Sequence, residues 1–216
     1  MKFNQNQILV IVTEGVVAAV ILGVVFIKNT SPTATNAQPP TQASVDSMTD
    51  HHTSVPADSA VFDGLMNKPV PDFSLQSYDG KTVNIKDFRG KNVVLFFNEG
   101  LMCYPACWNQ IIAFGKDTSF AGKNTVILNI TVDSKDDWKK AIDKMPELAG
   151  NTVLLDPDRT VAKLFGVLTL TSSMHKGQFP GHTFILVDKD GVVRYTLDDP
   201  AMAIRNTELL TEIAKL

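Results

Sequence analysis

Cysteine is almost missing from this chain: its 216 residues include two, Cys103 and Cys107. Two thiols cannot staple a small secreted scaffold, so the fold must rest on an apolar core, and the pair is free for chemistry. Basic clusters are absent as well. Twenty Lys and Arg against 23 Asp and Glu leave a formal charge of −3, without the electrostatic footprint a nucleic-acid partner requires. Histidine is scarce, at four residues: His51, His52, His175 and His182. Long apolar runs are equally few, and the one of membrane-spanning length lies at the N-terminus.

That run, Ile8 to Ile27, is interrupted by Glu14, a carboxylate that must protonate or reach toward the headgroups. Neither an A-x-A cleavage site nor a lipid-attachment cysteine follows it. Residues 1–28 are therefore expected to form an uncleaved, single-pass transmembrane helix. Lys2 and Lys28 flank it almost evenly, and the very short leader places the rest of the chain on the extracytoplasmic side. Residues 29–61 are dominated by Ser, Thr, Pro and Ala, too little apolar surface to offset the cost of ordering the backbone. This stretch reads as a disordered tether in which His51 and His52 are solvated. Residues 62–216 then hold the folded domain.

Within that domain the run Val93-Val94-Leu95-Phe96-Phe97 is β-branched and aromatic, too short for a helix, and expected to be a strand buried on both faces. Asn98-Glu99-Gly100 breaks it, and a helix is expected from about Tyr104 to Lys116, with Pro105 in its first turn. Both cysteines thus fall where a central strand hands over to a helix, whose free N–H groups and dipole favour a thiolate. Four residues apart on one helix face, with Cβ atoms roughly 6 Å apart, they can form a disulfide or grip one metal ion.

Further strands are expected at Pro71–Leu75 and Thr82–Ile85 around Asp79-Gly80, then at Thr125–Val132 and Thr152–Leu155. A last hairpin is expected to join Thr183–Val187 to Val192–Leu197. Helices are expected at Lys135–Lys144, Arg159–Phe165 and Thr207–Leu216. Strands alternating with helices and ending in a hairpin define an α/β domain, a mixed central sheet flanked by helices.

The run PDFSLQSYDGKTVNIKDFRGKNVVLFFNEG, the cysteine-bearing helix and then HTFILVDKDGVVRY resemble the alkyl hydroperoxide reductase and thiol-specific antioxidant family. The resemblance spans about Asn67 to Leu216 and implies a thioredoxin-like fold and a peroxiredoxin-type oxidoreductase without a cofactor. It implies a peroxide or disulfide substrate, an external thiol reductant and an active site of Cys107, Cys103 and His182. Cys107 lies one residue beyond the family's usual attacking position, Tyr104 stands where the family has threonine, and His182 stands where it has arginine. The C-x-x-x-C motif with an internal proline and a later histidine is also similar to the Sco-type copper metallochaperones. That resemblance implies copper on Cys103, Cys107 and His182, a soft set suited to the metal. As ligand or thiol-activating base, His182 would be coordinating or cationic. Trp108 is expected to wall the thiols, His175 to be solvated, and Glu99 to face solvent, with proton acceptance beside the cysteines as its alternative role.

Overall fold

Seven consecutive buried residues, Asn92 to Asn98, have no solvent face, so sheet must flank them on both edges and helices must cover them on both sides. The computed structural model, which describes residues 55–216, builds that arrangement. In chain order the elements are α1 (Ala60–Asp63), β1 (Ser74–Ser77), β2 (Thr82–Asn84), β3 (Asn92–Asn98), α2 (Ala106–Lys116), α3 (Ser119–Gly122) and β4 (Thr125–Thr131). There follow α4 (Lys135–Lys144), β5 (Val153–Leu155), α5 (Thr160–Leu164), β6 (Thr183–Val187), β7 (Val193–Asp198) and α6 (Asn206–Ile213). The strands form one mixed sheet in the order β2-β1-β5-β4-β3-β6-β7. β3 runs parallel to β4 and antiparallel to β6, in register Phe96 with Asn129 and with Phe184.

Side chains alternate across a strand, so β3 feeds two cores. Val93, Leu95 and Phe97 join Phe62, Phe73, Leu128, Phe165 and Ile185 in one layer. Val94 and Phe96 face the other, where α2 contributes Cys107, Trp108, Ile111 and Phe114, α4 contributes Trp138, and α6 contributes Leu209. The disulfide-bearing end of α2 is therefore pressed onto the sheet by its own apolar face. α4 keeps its expected bounds because Ser134 caps it, its hydroxyl accepting the Asp137 N–H at 3.1 Å.

Several expected ends shift by one residue, and three elements shift further, α6 ending at Ile213 rather than Leu216. β1 occupies Ser74–Ser77 rather than Pro71–Leu75, since Pro71 has no N–H for a ladder and the pairing Leu75 with Val83 is set by the Asp79-Gly80 turn. α2 begins at Ala106, two residues later than expected. At the N-terminal edge the Asp58 N–H donates to the Thr169 carbonyl at 3.0 Å and the Thr169 hydroxyl returns a bond to the Asp58 carbonyl, so the chain is already docked ahead of residue 62. Among the described residues no helix is long and apolar enough to cross a membrane. The Ile8–Ile27 run, Glu14, His51, His52 and most of the expected tether lie outside them.

Candidate active site

A proline disfavours helical backbone in the residue before it, and that rule shapes the thiol loop. Tyr104 is extended (φ −79°, ψ 135°) ahead of Pro105, so the chain makes a separate 3₁₀ turn, Gly100–Cys103, before α2 starts. The two cysteines do not share a helix face as expected. Cys103 ends the turn, Cys107 sits in the first turn of α2, and the kink between them brings their Cα atoms to 5.4 Å, where the sulfurs are joined as a disulfide. Both are buried.

The turn is held by groups that sequence reasoning missed. Gly100 is left-handed (φ +58°), and any Cβ there would overlap the Asp133 carboxylate and the Thr131 hydroxyl. Asp133 Oδ2 accepts the Leu101 N–H and the Thr131 O–H, both at 2.8 Å, and burial pushes the Asp133 carboxyl up. Asn98 Oδ1 accepts the Gly100 N–H at 2.9 Å, and Trp108 Nε1 donates to the Gly100 carbonyl at 2.8 Å. The one local signal was the glycine itself, directly after a buried strand. The side chains that a Cβ there would meet, Thr131 and Asp133, lie more than thirty positions away in sequence.

His182 opens β6 from below the disulfide. It is fully buried between the rings of Phe96 and Phe184, with centroid separations of 4.8 and 5.2 Å. Nε2 is 3.1 Å from the Ala203 carbonyl, which can only accept, so Nε2 carries the ring proton. Nδ1 then presents its lone pair to Cys107 Sγ at 3.4 Å. Burial lowers the imidazole pKa from 6.5 to about 4, so His182 beside the closed disulfide is neutral rather than cationic.

Trp108 is buried and forms a wall of the site, edge-on to the half-exposed Tyr104 at 4.9 Å. Lys144 Nζ lies 3.8 Å from the Tyr104 ring centroid. Glu99 does not face solvent: it is fully buried, and its Oε1 accepts the Met174 N–H at 2.6 Å. Its Oε2 is 3.0 Å from His175 Nδ1, so His175 is held at a carboxylate instead of being free in water. Both oxygens of Glu99 are thus engaged by the 174–175 loop.

A strand, a kinked loop carrying a buried disulfide at a helix N-terminus, and an imidazole just ahead of the neighbouring strand β6 make a thiol redox centre. The model of the AhpC/TSA family matches residues 66–196. The chain belongs to that family. As a member it is a thiol-dependent enzyme of the peroxidase-like class, on a thioredoxin-like α/β fold. Among its relatives, peroxiredoxin Bcp of Escherichia coli (strain K12) is 33% identical over 131 residues, covering 60% of this chain and 82% of the relative. Peroxiredoxin Bcp of Bacillus subtilis (strain 168) is 30% identical over 131 residues, covering 58% and 80%. The reduced 2-Cys peroxiredoxin of Plasmodium vivax superposes with a TM-score of 0.58 at 26% identity, over 69% of this chain and 80% of that one. BcpB of Mycobacterium tuberculosis gives 0.58 at 23% identity, over 70% and 97%, a likeness of fold.

Proposed function

We propose that the protein reduces peroxides with Cys107 as the attacking sulfur, Cys103 as the resolving sulfur and His182 as the proton carrier between them. The observation that carries this reading is the placement of His182, its Nδ1 3.4 Å from Cys107 Sγ and its Nε2 turned to the Ala203 carbonyl. With the thiols reduced, that lone pair takes the Cys107 proton, and the first turn of α2 stabilises the thiolate. The thiolate attacks one peroxide oxygen: an S–O bond forms, the O–O bond breaks, and the departing oxygen takes the proton back from His182 Nδ1. His182 would then serve in the role that the family resemblance implies for an arginine. Cys103 then attacks the sulfenic acid, its thiol proton leaves with the hydroxyl as water, and the disulfide forms. Two electrons from an external thiol reductant reopen it.

The apolar length of residues 8–27 and the polar composition of the following stretch support a membrane-tethered version of this enzyme. In that version residues 1–28 anchor it, the polar stretch from residue 29 to the first docked residues near Asp58 tethers it, and the folded domain works on the extracytoplasmic side. Stopped-flow consumption of hydrogen peroxide by the reduced full chain tests the chemistry. Cys107→Ser should abolish fast consumption, whereas Cys103→Ser should keep the first turnover and lose the following ones. Equal loss in the first turnover for both variants would reject the assignment.

One observation favours a second reading, copper carriage. The donor atoms of Cys103, Cys107 and His182 all lie within 4.8 Å of one another, and two thiolates with an imidazole suit copper. The sulfurs are free to bind only when reduced. A Cu(I) competition titration of the reduced chain separates the two: stoichiometric binding with peroxide reacting no faster than with free cysteine favours carriage.

A further inference from the structure

The hydrogen bond that fixes the His182 tautomer comes from a loop with its own clamp. Asp199, one residue past β7, is buried, and its main-chain N–H donates to the His182 carbonyl at 2.9 Å. Its carboxylate folds the next residues back over it, Oδ1 accepting the Ala201 N–H at 3.1 Å and Oδ2 the Ala203 N–H at 3.0 Å. Arg205 grips the same carboxylate with two parallel bonds, Nε to Oδ2 at 2.8 Å and Nη2 to Oδ1 at 2.7 Å. The carbonyl of Ala203, locked between these two contacts, is the one that meets His182 Nε2.

The clamp is also tied to the helix that carries the attacking sulfur. Gln110, fully buried one turn beyond Cys107, accepts the Arg205 main-chain N–H on Oε1 at 2.8 Å and donates from Nε2 to Asn206 Oδ1 at 2.9 Å. Asn206 in turn donates to the Ala113 carbonyl of α2 at 3.1 Å. A run of hydrogen bonds thus leads from the Cys107 sulfur through His182, Ala203 and the Asp199–Arg205 pair to Gln110, back on the helix that carries the sulfur. None of the last three touches a reacting atom.

We propose that Asp199 and Arg205 are positioning residues, which hold the Ala203 carbonyl so that His182 keeps its proton on Nε2 and turns a bare Nδ1 toward Cys107. The inference deepens the peroxidase reading and rests on it for its catalytic consequence. Without the clamp the 200–204 loop loses its fold-back, Nε2 loses its acceptor, and a ring with the proton on Nδ1 can no longer accept one from the thiol.

The test is ¹⁵N spectroscopy of the histidine rings in the oxidised full chain, where protonated and unprotonated ring nitrogens resonate far apart, with peroxide kinetics of the reduced chain beside it. In the parent, the His182 signals should show Nδ1 unprotonated. In Asp199→Ala and Arg205→Ala, part or all of the population should move to the other tautomer, with first-turnover oxidation slowed at least tenfold. Asp199→Asn, which keeps one acceptor oxygen, should recover much of both. Arg205→Lys keeps the charge, loses the two-pronged grip and is the milder variant should the alanine changes unfold the loop; it should lie between parent and Arg205→Ala. A parental tautomer in every folded variant would overturn the inference. A parent that reacts with peroxide no faster than free cysteine would instead reject the peroxidase reading, while the ring spectra would still report on positioning by themselves.

Discussion

At the scale of single residues, His182 ties stability to pH with a definite sign. Its pKa is near 6.5 in the unfolded chain and about 4 in the folded one, so between these values the unfolded state takes up a proton that the folded state refuses. Stability contributed by the neutral ring is complete above pH 6.5, falls as the pH drops toward 4, and amounts to about 3 kcal/mol over the full window. Carboxylates also take up protons toward the acid end of this range, so the difference between parent and His182→Asn in thermal melts is the quantity to follow. The parent should lose stability faster than the variant between pH 6.5 and 4, and parallel curves would contradict the assignment. Gly100→Ala should destabilise by more than about 1 kcal/mol, because the added methyl meets Asp133 and Thr131 in a left-handed backbone. Chemical denaturation of the oxidised chain would measure it.

At the scale of elements, β3 and α2 carry the energetic weight that fixes the site. Phe96 is fully buried, stacked on Phe184 at 4.6 Å and edge-on to Phe114 and His182, so Phe96→Ala should cost about 3–5 kcal/mol and loosen the imidazole. Denaturant midpoints check the first effect, and the His182 ring signals the second. β3 and α4 were legible in the sequence because their signals are local: an unbroken β-branched and aromatic run for β3, and a charged amphipathic pattern for α4. The thiol loop was legible only in outline. A C-x-x-x-C spacing looks helical until the rule for residues before proline is applied to Tyr104, which makes Cys103 part of a separate turn. Glu99 was misread for a different reason. Its partners at Met174 and His175 are about 75 positions away, and no short pattern reveals that a loop glutamate will be buried by a later loop.

At the scale of the whole molecule, a mixed sheet covered on both faces leaves a redox pair at the end of its central strand, enclosed by the loops that follow β3, α5 and β7. The order of the chain is what brings Cys107, His182 and the Asp199–Arg205 clamp together, since β3 and β6 are neighbours in the sheet despite the long stretch between them. The central claim is that Cys107 is the sulfur that meets peroxide. Cys103→Ser full chain, reduced, treated with one equivalent of hydrogen peroxide in the presence of a sulfenic-acid trap and digested for mass spectrometry, tests it directly. The account predicts a trapped adduct on Cys107, formed far faster than on free cysteine, and none in the Cys107→Ser chain. An adduct on Cys103 in the Cys107→Ser chain at the parental rate, with Cys107 left unmodified in the other, would contradict it.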